Sequence, residues 1–272
     1  MRRRRTRKTT CKNTNRVISI IETIPREIVS DILARVATDS LTDITNVKLS
    51  CKVLREIAED SYVYRHVSLA KFPVVQWKSQ TEEEKSFLDK CWECGNPEYL
   101  YRRGVVDYFS RNRLESASEY LTTAARLGHV GALYVISIIF LFGEDEKKQK
   151  GISVLSGMKK SRIFRKRVKR CRRFLIEILR MIWIKNSLVI YHRPICCTQR
   201  DQHAKKQGWP STEFEEEDMS CDGCICDTEL AFIFDNTCLL DQITNAKAEW
   251  SAGERRASSE TEWCDDIDLF KF

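Results

Sequence analysis

The sequence predicts a mostly α-helical chain of 272 residues, and three observations carry that prediction. Apolar residues recur at three- and four-residue spacing, the period of one helix face, from Ile28 to Ile57 and again from Phe164 to Ile182. Helix-start signals precede such stretches: Pro25, Ser40 or Thr42, a Thr81–Glu84 capping box, and Pro97 behind Gly95-Asn96. Between residues 101 and 155 the wording partly repeats. Ala117 and Gly151 stand 34 residues apart and Gly104 and Gly143 stand 39 apart, the spacing of helix–turn–helix repeats. The expected order is a basic tail at 1–20, a helical module at 21–68, a helical-repeat domain at 80–190, a small Cys-rich segment at 191–238 that zinc could order, and an acidic tail at 239–272.

A chain of this length can bury a sizeable core. No run of 18 apolar residues occurs, so no transmembrane helix is expected, and Val130–Phe142 reads as a buried helix. The net charge of +7 hides a split: residues 213–272 hold 17 acidic and 4 basic residues, a net of −13, so the first 212 carry +20. Such a balance suits nuclear life, internal charge pairing or a polyanionic partner. Residues 1–16 carry eight Lys or Arg and no acid. They are expected to be a disordered tail, read either as a nuclear-localisation signal or as a solvated extension. Four successive arginines, Arg2–Arg5, do not make the amphipathic helix of a mitochondrial presequence, and no signal peptide is read here. The expected location is nucleus or cytoplasm. Of the twelve cysteines, Cys51, Cys171 and Cys238 have apolar surroundings and read as small hydrophobes.

From Ile24 to His66 the residues describe amphipathic helices with no polar chemistry inside. Pro25 suits a first helical position, and Glu27 complements the helix dipole in the first turn. Ile28, Ile32 and Val36 step at four-residue spacing beside Val29 and Leu33. Ile44, Val47 and Leu49 follow on a second helix, then Val53, Leu54 and Ile57. The pattern Ile24-Pro25-x-Glu27-Ile28, then Ile32-Leu33, then Val47-x-Leu49-x-Cys51-Lys52 resembles an F-box, the module that binds a Skp-type adaptor in SCF ubiquitin ligases. Ile24 stands where Leu is commoner, Ala37-Thr38 replaces a frequent Leu-Pro, and Leu54 falls where many members carry Trp. The resemblance implies adaptor binding by Ile24, Pro25, Ile28, Ile32, Leu33, Val47, Leu49, Cys51 and Leu54, some of which must form the module's own interior. An ordinary three-helix cap on a helical domain is the alternative.

Farther on, Tyr101-x-x-Gly104-Val-x-Asp107 and Ala124-Ala125-x-x-Gly128-His129-x-x-Ala132 resemble a Sel-like repeat, with a degenerate second unit through Gly151-Ile-Ser-Val-Leu155. Here small residues are expected to let helices approach, and Gly104 and Gly128 to turn the chain. An F-box with such a repeat and a Cys-rich end resembles a group of plant F-box proteins. Residues 159–173 then hold ten Lys or Arg, interleaved with Phe164, Val168, Cys171 and Leu175. This reads as one basic amphipathic helix: the last of the array, a second nuclear signal, or a binder of acidic surfaces. No aromatic strand pattern of an RNA binder accompanies it, so nucleic acid is not the expected partner.

Near the C-terminal side, Cys221-x-x-Cys224 has the knuckle spacing that offers two thiolates to a tetrahedral zinc. Cys196, Cys197, His203 and Cys226 are the other candidate ligands, and a reduced Cys-rich loop is the alternative. The plant resemblance implies the same cysteine order ahead of an apolar strand at Ala231–Phe234. Cys91-Trp-Glu-Cys94 has no second ligand pair, and His66 and His129 read as packing or turn residues. Nucleophile-elbow, phosphate-loop, zinc-protease and RING patterns are missing, so no enzyme is expected. The reading is a non-catalytic substrate receptor: adaptor and cullin on one side, a target protein on the other, no membrane, and no cofactor unless a structural zinc. The rival is a basic nuclear protein that binds nucleic acid or an acidic partner.

Overall fold

The computed structural model describes residues 20–75, 80–190, 195 and 221–234, and every regular element among them is a helix. In chain order these are α1 (Ile20–Thr23), α2 (Arg26–Asp39), α3 (Leu41–Ser50), α4 (Lys52–Ala58), α5 (Ser61–His66), α6 (Glu82–Glu93), α7 (Pro97–Phe109), α8 (Leu114–Arg126), α9 (Val130–Leu141), α10 (Asp145–Lys160), α11 (Arg162–Arg180), α12 (Ser187–Ile190) and α13 (Asp222–Phe234). The mostly α, helical-repeat expectation therefore holds. The basic tail before residue 20 and the acidic residues 235–272 lie outside the described residues.

Helices α2–α5 close around one core. Helix α2 starts one residue later than expected: the Pro25 carbonyl accepts the Ile28 and Val29 amides at 3.1 and 3.2 Å, which makes Pro25 the cap itself. Ser40 ends α2 and caps α3, its hydroxyl accepting from the Asp43 amide at 3.2 Å. Asp60 caps α5 through the Tyr62 amide. Val29, Leu33 and Ala37 of α2 pack with Ile44, Ile57 and Val63. The Ala37-Thr38 step is part of this closure. Ala37 is fully buried and its carbonyl accepts the Ser68 amide at 2.9 Å, while the Thr38 hydroxyl donates to the His66 carbonyl at 3.0 Å. Leu88 and Cys91 of α6 belong to the same core, and Tyr99 of α7 packs against it, so α6 lies between the module and the repeat and touches both.

Helices α7–α11 build the second core, with α9 buried from Gly131 to Leu141. An apolar helix enclosed on all sides needs no amphipathic stripe, which is why its sequence shows none. Gly104 is not a turn. It sits inside α7 where it crosses α8, and a Cβ there would stand 2.6 Å from Leu121 Cγ. Gly151 does the same for α10 against α9, where a Cβ would stand 2.9 Å from the Ser137 carbonyl oxygen. Gly128, at φ +87°, does make its turn. Ala117 and Gly151 both lie on the second helix of their hairpins, so the 34-residue spacing is structural. Gly143 lies beyond the end of α9, so the 39-residue spacing pairs unlike positions. Gly104→Val is expected to destabilise the chain by about 1–3 kcal/mol through overpacking, read as a shifted denaturant midpoint.

Two further expectations change. The basic run 159–173 is not one helix: Ser161 ends α10 and begins α11. Ala231–Phe234 is the last turn of α13, not a strand. Short apolar runs do not distinguish the two states, and here Cys226, Leu230, Ile233 and Phe234 together face the repeat core at helical spacing. This part of the Cys-rich segment is thereby an element of the repeat domain.

Candidate functional site

One edge of α2, beside the face packed in the first core, carries exposed apolar side chains. Ile28 and Ile32 are 54% and 52% exposed, one turn apart, and Ile24 and Pro25 extend the same edge. Helix periodicity puts Val29 and Leu33 a third of a turn away, where they are buried. Sequence spacing alone merged these two faces. The separation corrects Leu33: at 4% exposed it is core and not available to a partner. Val47 and Leu54 are half-buried against the same core, whereas Leu49 is 70% exposed at the end of α3. Cys51 is half-buried and has a local role. Its Sγ caps α4, accepting the Leu54 amide at 3.4 Å. Tyr62, which sequence reading passed over, stands partly exposed beside this face, its hydroxyl donating to Asp31 Oδ1 at 2.8 Å.

Behind the face, polar contacts join the module to the repeat. Asn96 is buried between them. Its Nδ2 donates to the carbonyls of Tyr64 and Val67, both at 2.9 Å, while its Oδ1 caps α7 by accepting the Glu98 and Tyr99 amides. Glu59, at the end of α4, accepts from Lys48 at 2.8 Å, from the Tyr64 hydroxyl at 3.0 Å and from Lys90 of α6. Both lysines also lie over the Tyr64 ring, 4.7 and 4.4 Å from its centroid. Burial raises the Glu59 carboxyl, but the bonds from Lys48, Lys90 and Tyr64 outweigh it and hold the group at about 2. A lowered carboxylate contributes stability above its unfolded value of 4.5 and loses it as pH falls toward 2. Stability is accordingly expected to fall between pH 4.5 and 2, with a shallower slope in Glu59→Gln, measured by denaturation at stepped pH. On the repeat side, Arg102 donates to Glu98 Oε1 at 2.6 Å and to the Phe72 carbonyl at 2.7 Å. His129, read as a packing or turn residue, caps α9 and meets Glu98 at 2.9 Å.

The cysteines give no metal centre among the described residues: no group of three or more His, Cys, Asp or Glu is placed to hold an ion. Cys221, Cys224 and Cys226 fall at the start of α13. Cys226 is fully buried in the repeat core, where it packs, and burial pushes its thiol up to about 12. Cys196, Cys197 and His203 lie outside the described residues. Cys91 is likewise buried in the first core, its thiol raised to about 12 by burial, in keeping with a packing role. The basic run is partly internal. Glu229 of α13, fully buried, accepts from Lys159 at 2.8 Å, from Arg172 at 2.7 and 2.8 Å, and from the Tyr134 hydroxyl at 2.5 Å. No described helix is long and apolar enough to cross a membrane.

A small helical module with an exposed apolar edge is thus joined through a buried polar junction to a helical repeat. A family model described as plant tetratrico peptide repeats matches residues 69–180. A putative F-box protein of Arabidopsis thaliana is 30% identical over 138 residues, 51% of this chain and 46% of that protein. Two further F-box proteins of the same plant are 27% identical, one over 46% of this chain and 75% of its own length, the other over 47% and 34%. The chain thus spans about half the length of the first of these relatives. No solved structure matches it. The chain is thus similar to plant F-box proteins over about half of its length, and to plant tetratrico peptide repeats over residues 69–180.

Proposed function

We propose that the chain is a substrate-receptor subunit of an SCF-type ubiquitin ligase. The α2 edge of Ile24, Pro25, Ile28 and Ile32, with Leu49 of α3, docks on a Skp-type adaptor and through it a cullin, while the repeat presents a surface to a target protein. The single observation that carries this reading is the pair of half-exposed isoleucines, Ile28 and Ile32, standing outside a module whose core is already complete without them. Apolar residues clustered on one exposed helix edge mark a protein-binding site. The contribution to ubiquitin transfer is proximity: a substrate lysine held near charged enzyme at high effective concentration, with no bond-breaking group supplied by this chain.

The test is co-expression with a Skp-type adaptor. Full-length chain is expected to co-purify with adaptor and cullin, and Ile28→Asp with Ile32→Asp is expected to lose both while keeping its helical content. Adaptor that never co-purifies, together with nucleic-acid binding that weakens steeply with salt, would support the basic nuclear rival instead.

A further inference from the structure

The outer side of α11 carries a basic stripe that adaptor docking does not use. Arg162, Lys166, Arg170 and Arg173 are exposed and spaced four, four and three residues apart, on the side away from the buried Val168, Leu175 and Ile178. At about 1.5 Å rise per residue the stripe is roughly 16 Å long. Like charges at this spacing repel one another, so an anionic cover is favourable.

The described acids of the C-terminal side already occupy the neighbouring positions of the same basic run. Asp222 sits on Lys160 at 2.6 Å, and Glu229 takes Lys159 and Arg172. Arg172 also lies 4.6 Å from the centre of the Phe232 ring. Helix α13 is thus an acidic partner of α10 and α11 within one chain. It ends at Phe234, and residues 235–272 continue from it with nine acidic and four basic residues. Glu260, Glu262, Asp265, Asp266 and Asp268 fall within nine positions with no Lys or Arg among them. The 25 residues between Phe234 and Glu260 can span at most about 80–90 Å, several times the length of the stripe, and chain length therefore permits the contact.

We propose that the acidic cluster Glu260–Asp268 docks on the basic stripe of α11 in the same molecule, extending the α13 contact and competing with any anionic partner for that face. The proposal is independent of adaptor docking. It is tested in the full-length chain with a zero-length carbodiimide, which joins a lysine amine to a carboxylate that it touches. Lys160 with Asp222 is the internal positive control. The expected result is coupling of Lys166 to the 260–268 acids within one monomer, lost at about 1 M salt, where the screening length is about 3 Å. The variant E260Q/E262Q/D265N/D266N/D268N should lose that product and bind polyglutamate about tenfold more tightly, as expected when a tethered competitor is removed. The proposal is overturned by Lys160–Asp222 coupling without Lys166 coupling, by coupling of Lys166 to a second copy in mixed isotope-labelled samples, or by unchanged polyglutamate affinity in the variant.

Discussion

Glu229→Ala is expected to lower the stability of the chain by about 3–5 kcal/mol, the largest single effect anticipated from any side chain here. The carboxylate is fully buried and is shared by Lys159 of α10, Arg172 of α11 and Tyr134 of α9. Losing it strips a common counter-charge from two cations that are themselves only 10% and 13% exposed. Burial raises the Glu229 carboxyl, but the charges of Lys159 and Arg172 lower it more, so it is ionised in the fold. Its stabilising contribution is present above its unfolded value of 4.5 and is lost as pH falls through the lower folded value. Thermal unfolding should show the loss as a drop on the order of 10 °C. Replacing Glu229, Lys159 and Arg172 together with apolar residues should recover much of it, because the penalty lies in the stranded charges. A Glu229→Ala melting curve matching that of the wild type would mean that α13 is not held this way.

Asn96→Ala comes second, at about 3 kcal/mol. It removes an N-cap, which costs about 1 kcal/mol, and leaves two buried carbonyl groups without its amide, at about 1 kcal/mol or more each. Asn96→Ser separates the two roles, because a serine hydroxyl still caps α7 but does not span to both Tyr64 and Val67. Serine should keep the local helix and still loosen the module from the repeat. Hydrogen exchange would show that as faster exchange in α5 and at the start of α7, with protection within α9 unchanged. Equal exchange in all three proteins would show that Asn96 is not the hinge pin.

Periodicity and capping chemistry made most of the helices legible, because both are local. The Thr81–Glu84 capping box is present with both of its bonds, and Ser40 caps α3. Partners distant in the chain were not legible. Nothing around Asn96 signals the Tyr64 and Val67 carbonyls some thirty residues earlier, and nothing around Glu229 signals Lys159 and Arg172. The one available hint was compositional: a basic run and an acidic C-terminal side in the same chain. Gly104 misled for a related reason. A glycine within a helical-repeat motif looks like a turn, yet this one serves a helix crossing that depends on Leu121. At the docking face, the four-residue steps of Ile28–Ile32 and Val29–Leu33 interleave, so sequence could find the stripe but not which half faces inward. Leu33 falls on the inward half, and the Cys51 cap was not legible because a thiol as a helix cap is uncommon.

The most direct measurement is a calorimetric titration of a purified Skp-type adaptor into three forms of the full chain: wild type, Ile28→Asp/Ile32→Asp, and Leu33→Ala. The expected result is saturable binding by the wild type and at least a hundredfold loss, roughly 3 kcal/mol, in the double aspartate variant with its melting temperature kept. Leu33→Ala should instead lower the melting temperature, by about 2–5 kcal/mol of stability, and bind normally where it remains folded. Wild-type affinity in the folded double aspartate variant would contradict adaptor docking by the outer edge of α2.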